Sequence, residues 1–161
     1  MLCQILLQPA EGGTYDLYNF NSNNANEPAH GSAISVAFVS RARFVTLERN
    51  RHISLRNLSA TSLKRIPAPY TNADQLFQAG TSGRVMVRSG DKLCLFETAS
   101  QRVLHEIQGI SVRYTAWDPD LSQVALIGKH SKGRAILAHF RISTFRNIYI
   151  YCRYRSCRQR T

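Results

Sequence analysis

The feature that most limits how this chain can fold is a repeat with a period of about forty residues. The runs ISVAFV (34–39), DQLFQA (74–79) and SVRYTAW (111–117) each open a unit. Each is followed, after a short polar break, by a second extended run: RFVTL at 43–47, RVMV at 84–87 and QVALI at 123–127. In two units a third run follows (HISLRNL at 52–58, KLCLFET at 92–98) and then a fourth (LKRI at 63–66, VLHEI at 103–107). Four short strands per unit at this spacing are what one blade of a β-propeller needs.

Residue type and punctuation identify these runs as strands, because periodicity alone cannot separate a buried strand from a buried helical segment. They are rich in Val, Ile, Leu, Phe and Tyr, and they are bounded by polar breaks such as Asn50-Arg51, Thr81-Ser82-Gly83, Ser89-Gly90-Asp91 and Asp118-Pro119-Asp120. Pro67-Ala68-Pro69 cannot supply two of its three amide donors to a ladder, so it reads as a connection between units. Both faces of the strands are partly apolar: Ile34, Val36 and Phe38 share one face of the first run, and Ala37 and Val39 lie on the other. A sheet with one wet face would alternate more cleanly. Faces that are apolar on both sides suit a sheet held between two others, with an irregular β-sandwich as the alternative.

Length then limits the count. A ring of seven blades would need roughly 280 residues, and the chain has 161. The expected fold is all-β, a partial WD40-like β-propeller with about two complete four-stranded blades and incomplete blades at each end. LCQILLQ and TYDLYNF at the front read as inner strands of a preceding unit, and the unit begun at 111 reads as unfinished. End blades of this kind expose strand edges and apolar faces unless something covers them.

The composition is globular, 43% hydrophobic and 19% charged. No apolar run approaches the length of a membrane-spanning helix. The opening MLCQILLQPAEGG lacks the parts of a secretory signal, so a cytosolic setting is the expectation. The net charge of +11 is unevenly spread: Lys129, Lys132, Arg134, Arg141, Arg146, Arg153, Arg155, Arg158 and Arg160 lie in 129–161 with no acidic residue among them. Residues 1–130 read as the propeller portion. Residues 131–161 read as a basic, divergent tail, either disordered or the product of a misread frame. Phe145, Tyr149, Tyr151 and Tyr154 among those arginines would suit phosphate contact and base stacking, or an anionic membrane surface. No recognition motif accompanies the charge, so nucleic acid is the less favoured partner.

No catalytic, cofactor-binding or metal-binding residue is expected, and the chain does not read as an enzyme. G-x-S-x-G, Walker A, H-E-x-x-H and G-x-G-x-x-G motifs are all missing. Cys3, Cys94, Cys152 and Cys157 are too scattered for a disulfide framework, and Cys94 within KLCLF reads as a core residue. Cys152 and Cys157 with His139 do not make four zinc ligands at an established spacing. His30, His52, His105 and His130 are dispersed, Asp118 and Asp120 belong to one turn, and Trp117-Asp118 reads as the entry to that turn. Asn57-Leu58-Ser59 matches a glycosylation acceptor, without meaning in the cytosol.

The runs TYDLYNF, RFVTLERNRHISLRNL, QLFQAGTSGRVMVRSGDKLCLFETASQRVLHEI and VRYTAWDPDLSQVALIGKH, in this order, resemble the second propeller of the coatomer alpha family, also called the coatomer WD-associated region. The similarity covers roughly residues 5–130. It is most specific in FQAGTSGRVMVRSGDKLCLF and AWDPDLSQVALIGKH, whereas 21–33 match poorly, as a polar surface insertion would. The resemblance implies a cytosolic, non-catalytic subunit of the COPI coat, in Golgi-to-ER and intra-Golgi transport, with other coatomer subunits as partners and peripheral association with Golgi and vesicle membranes. Recognition of dilysine cargo belongs to the family's first propeller, so no cargo-binding residue is carried over. The competing expectation is binding of nucleic acid or an anionic membrane through the basic tail.

Overall fold

All ten runs read as strands between 34 and 127 are strands in the computed structural model, with ends that move by three residues at most. The structure describes residues 5–10, 13–19, 29–40, 42–59, 61–79, 83–118, 122–130, 135–141 and 149–151. Two antiparallel meanders follow in chain order: β4 (Ser35–Ser40), β5 (Arg43–Leu47), β6 (His52–Asn57) and β7 (Ser62–Pro67), then β8 (Gln75–Gln78), β9 (Arg84–Ser89), β10 (Lys92–Glu97) and β11 (Arg102–Gln108). A three-stranded sheet precedes them, β1 (Ile5–Ala10), β2 (Thr14–Asn19) and β3 (Ala29–Ser32). After them come β12 (Ile110–Trp117), β13 (Gln123–His130), β14 (Ala135–Arg141) and β15 (Tyr149–Tyr151).

The ends differ from the sequence expectation in two places. β3 lies inside the stretch read as a surface insertion; it pairs with β2 from Thr14↔Ser32 to Leu17↔Ala29, and the chain passes from it directly into β4. Because β4 is the first strand of its blade, β3 takes the place of a last strand. β1 and β2 therefore stand as second and third strands rather than inner ones. At the other end, the unit begun at 111 does not stop at 130. β14 pairs with β13 from Gln123↔Arg141 to Lys129↔Ala135, and β15 adds to β14, so three sheets rather than two have four strands. The density of basic residues hid this, although AILAHFR carries the branched and aromatic residues that a strand favours. The rest of the proposed tail, including Lys132, Arg134, Phe145, Arg146, Arg153, Tyr154, Arg155, Arg158 and Arg160, lies outside the described residues.

The pleat sends neighbouring residues into different cores. Ala37, Val39, Val45, Leu47, Ile53 and Ile66 of the second sheet meet Leu76, Val85, Val87, Cys94 and Phe96 of the third. On its other face the third sheet sets Phe77, Met86, Leu93 and Leu95 against Ile110, Val112, Val124 and Leu126. The second sheet likewise turns Phe44, with Val36 and Phe38, onto Tyr15 and Leu17 of the first and onto Ala33 in the link between them. Both middle sheets are thus buried on two faces, which a two-layer sandwich does not allow. The stack is that of propeller blades. Each buried Phe or Leu contributes about 1.5–3 kcal/mol.

Polar ties reinforce the stack. Ser35 Oγ accepts from the Leu76 amide at 2.9 Å, and Arg88 Nη1 donates to the Val112 carbonyl at 2.5 Å. Trp117 Nε1 donates to the Gln78 carbonyl at 2.9 Å, and Lys64 Nζ to the Ala99 carbonyl at 3.2 Å. The first strands of successive blades lie side by side, β4 against β8 and β8 against β12. The last strands, β7 and β11, are largely exposed.

Candidate interaction surfaces

The residues that sequence analysis weighed for chemistry take structural places. Cys94 is buried in the core between the second and third blades; burial pushes its thiol up to about 11, so it is not a reactive thiolate at neutral pH. Tyr70, in the connection between those blades, donates to Glu106 Oε2 at 2.7 Å; burial and this bond keep its phenol protonated well above the usual range. Asp118 closes its turn: Oδ1 accepts from the Gln123 amide and Oδ2 from the Ser122 hydroxyl, both at 2.8 Å. Asn57 Oδ1 accepts from the amides of Ser59 and Thr61, which makes it a turn former. His30 Nδ1 lies 2.7 Å from Asp16 Oδ1 at the surface, and His52 Nδ1 is 3.1 Å from the Asn50 carbonyl. Burial, then Arg84, holds the His105 imidazole below its ordinary range. His130 and His139 are strand residues whose side chains are not described, and Cys3, Asp120, Cys152 and Cys157 lie outside the described residues. Among the described residues no group of His, Cys, Asp or Glu could hold a metal ion, and no helix is long and apolar enough to cross a membrane.

The densest charge cluster surrounds Glu48, between β5 and β6. Its carboxylate accepts from Ser54 Oγ at 2.6 Å and pairs with Arg65 Nη2 at 2.8 Å and Arg56 Nη2 at 3.7 Å. Partial burial raises its pKa, but the Ser54 bond and the two guanidinium groups outweigh this and hold it below the usual 4.5. The folded state therefore resists protonation that the unfolded chain accepts. The resulting stability is complete above pH 4.5 and is lost as pH falls through the lower folded value. Glu48→Gln should flatten that acid limb in denaturant titrations run from neutral pH to below 4, with wild type as the reference.

Two surfaces are shaped for contact. A shallow cavity of about 300 Å³ lies along the first strands, lined by Val36, Ala37, Phe38, Leu76, Phe77, Gln78 and Thr115. The second is the face of the last sheet turned away from the third. There Tyr114 pairs with Ile127, and Ile127 with Leu137, so the three side chains form one row across three strands. They are 67%, 45% and 50% exposed, while Leu126, one residue from Ile127, is fully buried on the opposite face. Exposure this large for three aligned apolar residues marks a contact face. The residues of this row could not be read from the sequence, because a register shift between Val112 and Tyr114 decides which side chains share a face.

Comparison with known proteins agrees with this geometry. Residues 4–140 match the family model described as COPA/B second beta-propeller, which reaches into β14 and beyond the point where the resemblance was expected to end. The chain is 32% identical over 120 residues to coatomer subunit alpha of Dictyostelium discoideum, covering 73% of this chain and 10% of that protein. It is 33% identical over 134 residues to coatomer subunit alpha-1 of Arabidopsis thaliana, covering 79% of this chain and 11% of that protein. With putative coatomer subunit alpha of Schizosaccharomyces pombe it shares 30% over 131 residues, 78% of this chain and 11% of that one. The chain thus spans about a tenth of the length of these relatives. Four-stranded blades in sequence order, each apolar on two faces, and a match over most of the chain place it in the coatomer second β-propeller family.

Proposed function

We propose that this chain acts as a non-catalytic protein–protein scaffold within a COPI-type coat subunit, in transport from Golgi to ER and within the Golgi. Its partners are other coatomer subunits. It works on the cytoplasmic side, held to Golgi and vesicle membranes through the coat. The observation that carries this reading is the family match over residues 4–140. The places of Cys94 in a core, of Asp118 on the Gln123 amide in its turn and of His52 beside the Asn50 carbonyl support it, since each is engaged in packing or backbone hydrogen bonds. Exposed apolar faces supply the surface that a scaffold needs.

The test is binding to purified coatomer subunits across a salt range. Contacts through apolar blade faces should change little between about 50 and 200 mM salt, whereas binding carried by the arginines of 129–161 should fall by orders of magnitude. A steep loss would overturn the scaffold reading in favour of the charged segment.

A further inference from the structure

We propose that the cavity along the first strands is a peptide site, in which an extended segment of a partner protein adds to the inner edge of β8 and runs parallel to it. β8 ends its sheet on the inner side, so among the described residues no strand pairs with that edge. Two of its backbone groups are held from neighbouring blades. The Leu76 amide donates to Ser35 Oγ in β4, and the Gln78 carbonyl accepts from Trp117 Nε1 in β12. Both bonds leave the sheet, so Leu76 and Gln78 turn their main-chain groups away from β9, while Phe77 between them turns its own toward it. The Leu76 carbonyl and the Gln78 amide therefore point the same way, into the cavity that both residues line.

These two groups are the pair that one residue of a parallel strand engages. Its amide donates to the carbonyl of the residue before Phe77, and its carbonyl accepts from the amide of the residue after it. Antiparallel pairing instead needs the amide and the carbonyl of one residue. At Leu76 the Ser35 bond occupies the amide, and at Gln78 the Trp117 indole lies on the carbonyl. The edge thus sets direction as well as place. The cavity sets the side chain: Val36, Phe38 and Leu76 form an apolar wall, Gln78 and Thr115 a polar one, and none of the seven lining residues is charged. At about 300 Å³ the space is at the small end of ligand sites. It suits a small apolar side chain, with main-chain hydrogen bonds supplying the affinity. β8 has only four residues, which keeps the edge from recruiting long strands.

The probe is a blocked tripeptide, acetyl-Ala-Val-Ala-amide, titrated into the intact chain and followed by amide NMR. The expected result is saturable shifts at Gln78 and its neighbours at millimolar peptide or below. An analogue whose valine N–H is replaced by an ester oxygen lacks the donor for the Leu76 carbonyl and should bind about threefold to tenfold more weakly. This control leaves the protein untouched. A nitroxide in place of the acetyl group should broaden the amides of Asp74 and Gln75 more than that of Ala79, because a parallel guest starts where β8 starts. Thr115→Tyr, which grows into the cavity, should abolish the shifts. Absence of saturable shifts overturns the proposal, and so does an ester analogue that binds as tightly as the amide. Stronger broadening at Ala79, or unchanged binding by Thr115→Tyr, overturns it as well. The site goes beyond the scaffold reading and stands on strand geometry alone, so coat binding can fail while peptide binding holds.

Discussion

Phe44→Ala lowers the stability of the folded chain by about 3–5 kcal/mol, the range for a fully buried phenylalanine, and brings the midpoint of thermal unfolding down on the order of 10 °C. Phe44 is 0% exposed and fills the space between the first and second sheets. Its ring meets Tyr15 edge-on at 5.7 Å and Phe38 at 6.4 Å. Truncation leaves a cavity beside the Tyr15 ring, which also lies over Gly31 on the neighbouring strand and would have to leave it to fill the space. The position of the damage is a sharper test than its size. A blade contacts only its neighbours, so β1–β3 should lose amide protection first while β8–β13 keep theirs. The single tryptophan, Trp117, is anchored to the Gln78 carbonyl between the third and fourth sheets and reports on that distant interface. Its emission should hold at denaturant concentrations where β1–β3 already exchange. Simultaneous loss of both signals would mean one cooperative core and not a stack.

The interior strands were legible because two requirements coincide in them. A strand between two sheets must be apolar on both faces and must end in turn formers, and RFVTL, RVMVRS and KLCLFE satisfy both within a residue or two. Cys94 was read as core for the same reason and lies in the core. The end strands escaped because pairing decides them. Ala29–Ser32 contains no strong β-former, and only its ladder with β2 and the Tyr15 ring over Gly31 make it a strand. Ala135–Arg141 has suitable residues but sits in a stretch whose charge suggested a tail. The contact row Tyr114, Ile127 and Leu137 could not be read at all without register, since the shift at Val112/Tyr114 changes which residues of β12 face outward. Glu48 shows the same limit: nothing in ERNRH announces that Arg65, seventeen positions on, would close on it at 2.8 Å.

Gly128→Val should be the most damaging substitution in the last sheet, a loss of about 3 kcal/mol or more from forced overpacking. Gly128 pairs with Val112 where β12 shifts register, and the two strands approach so closely that a Cβ at 128 would run into the Ser111 carbonyl and sit 2.9 Å from the Val112 Cα. Both obstacles are backbone, so no rotamer change relieves them. The strands must separate, and Val112, fully buried at the interface with the third sheet, must move with β12. Arg88 then loses the Val112 carbonyl, and Trp117, at the end of the same strand, is released from Gln78. The expected readout is a red-shifted tryptophan emission in the native baseline together with a lower unfolding midpoint. Gly90→Ala is the control. It lies in a turn at φ 62° with nothing within 4 Å of the added carbon, so it carries only the left-handed backbone penalty of about 1 kcal/mol and leaves the emission unchanged. If Gly128→Val behaved like Gly90→Ala, the close approach of β12 and β13 would be refuted, and with it the register that sets the exposed row.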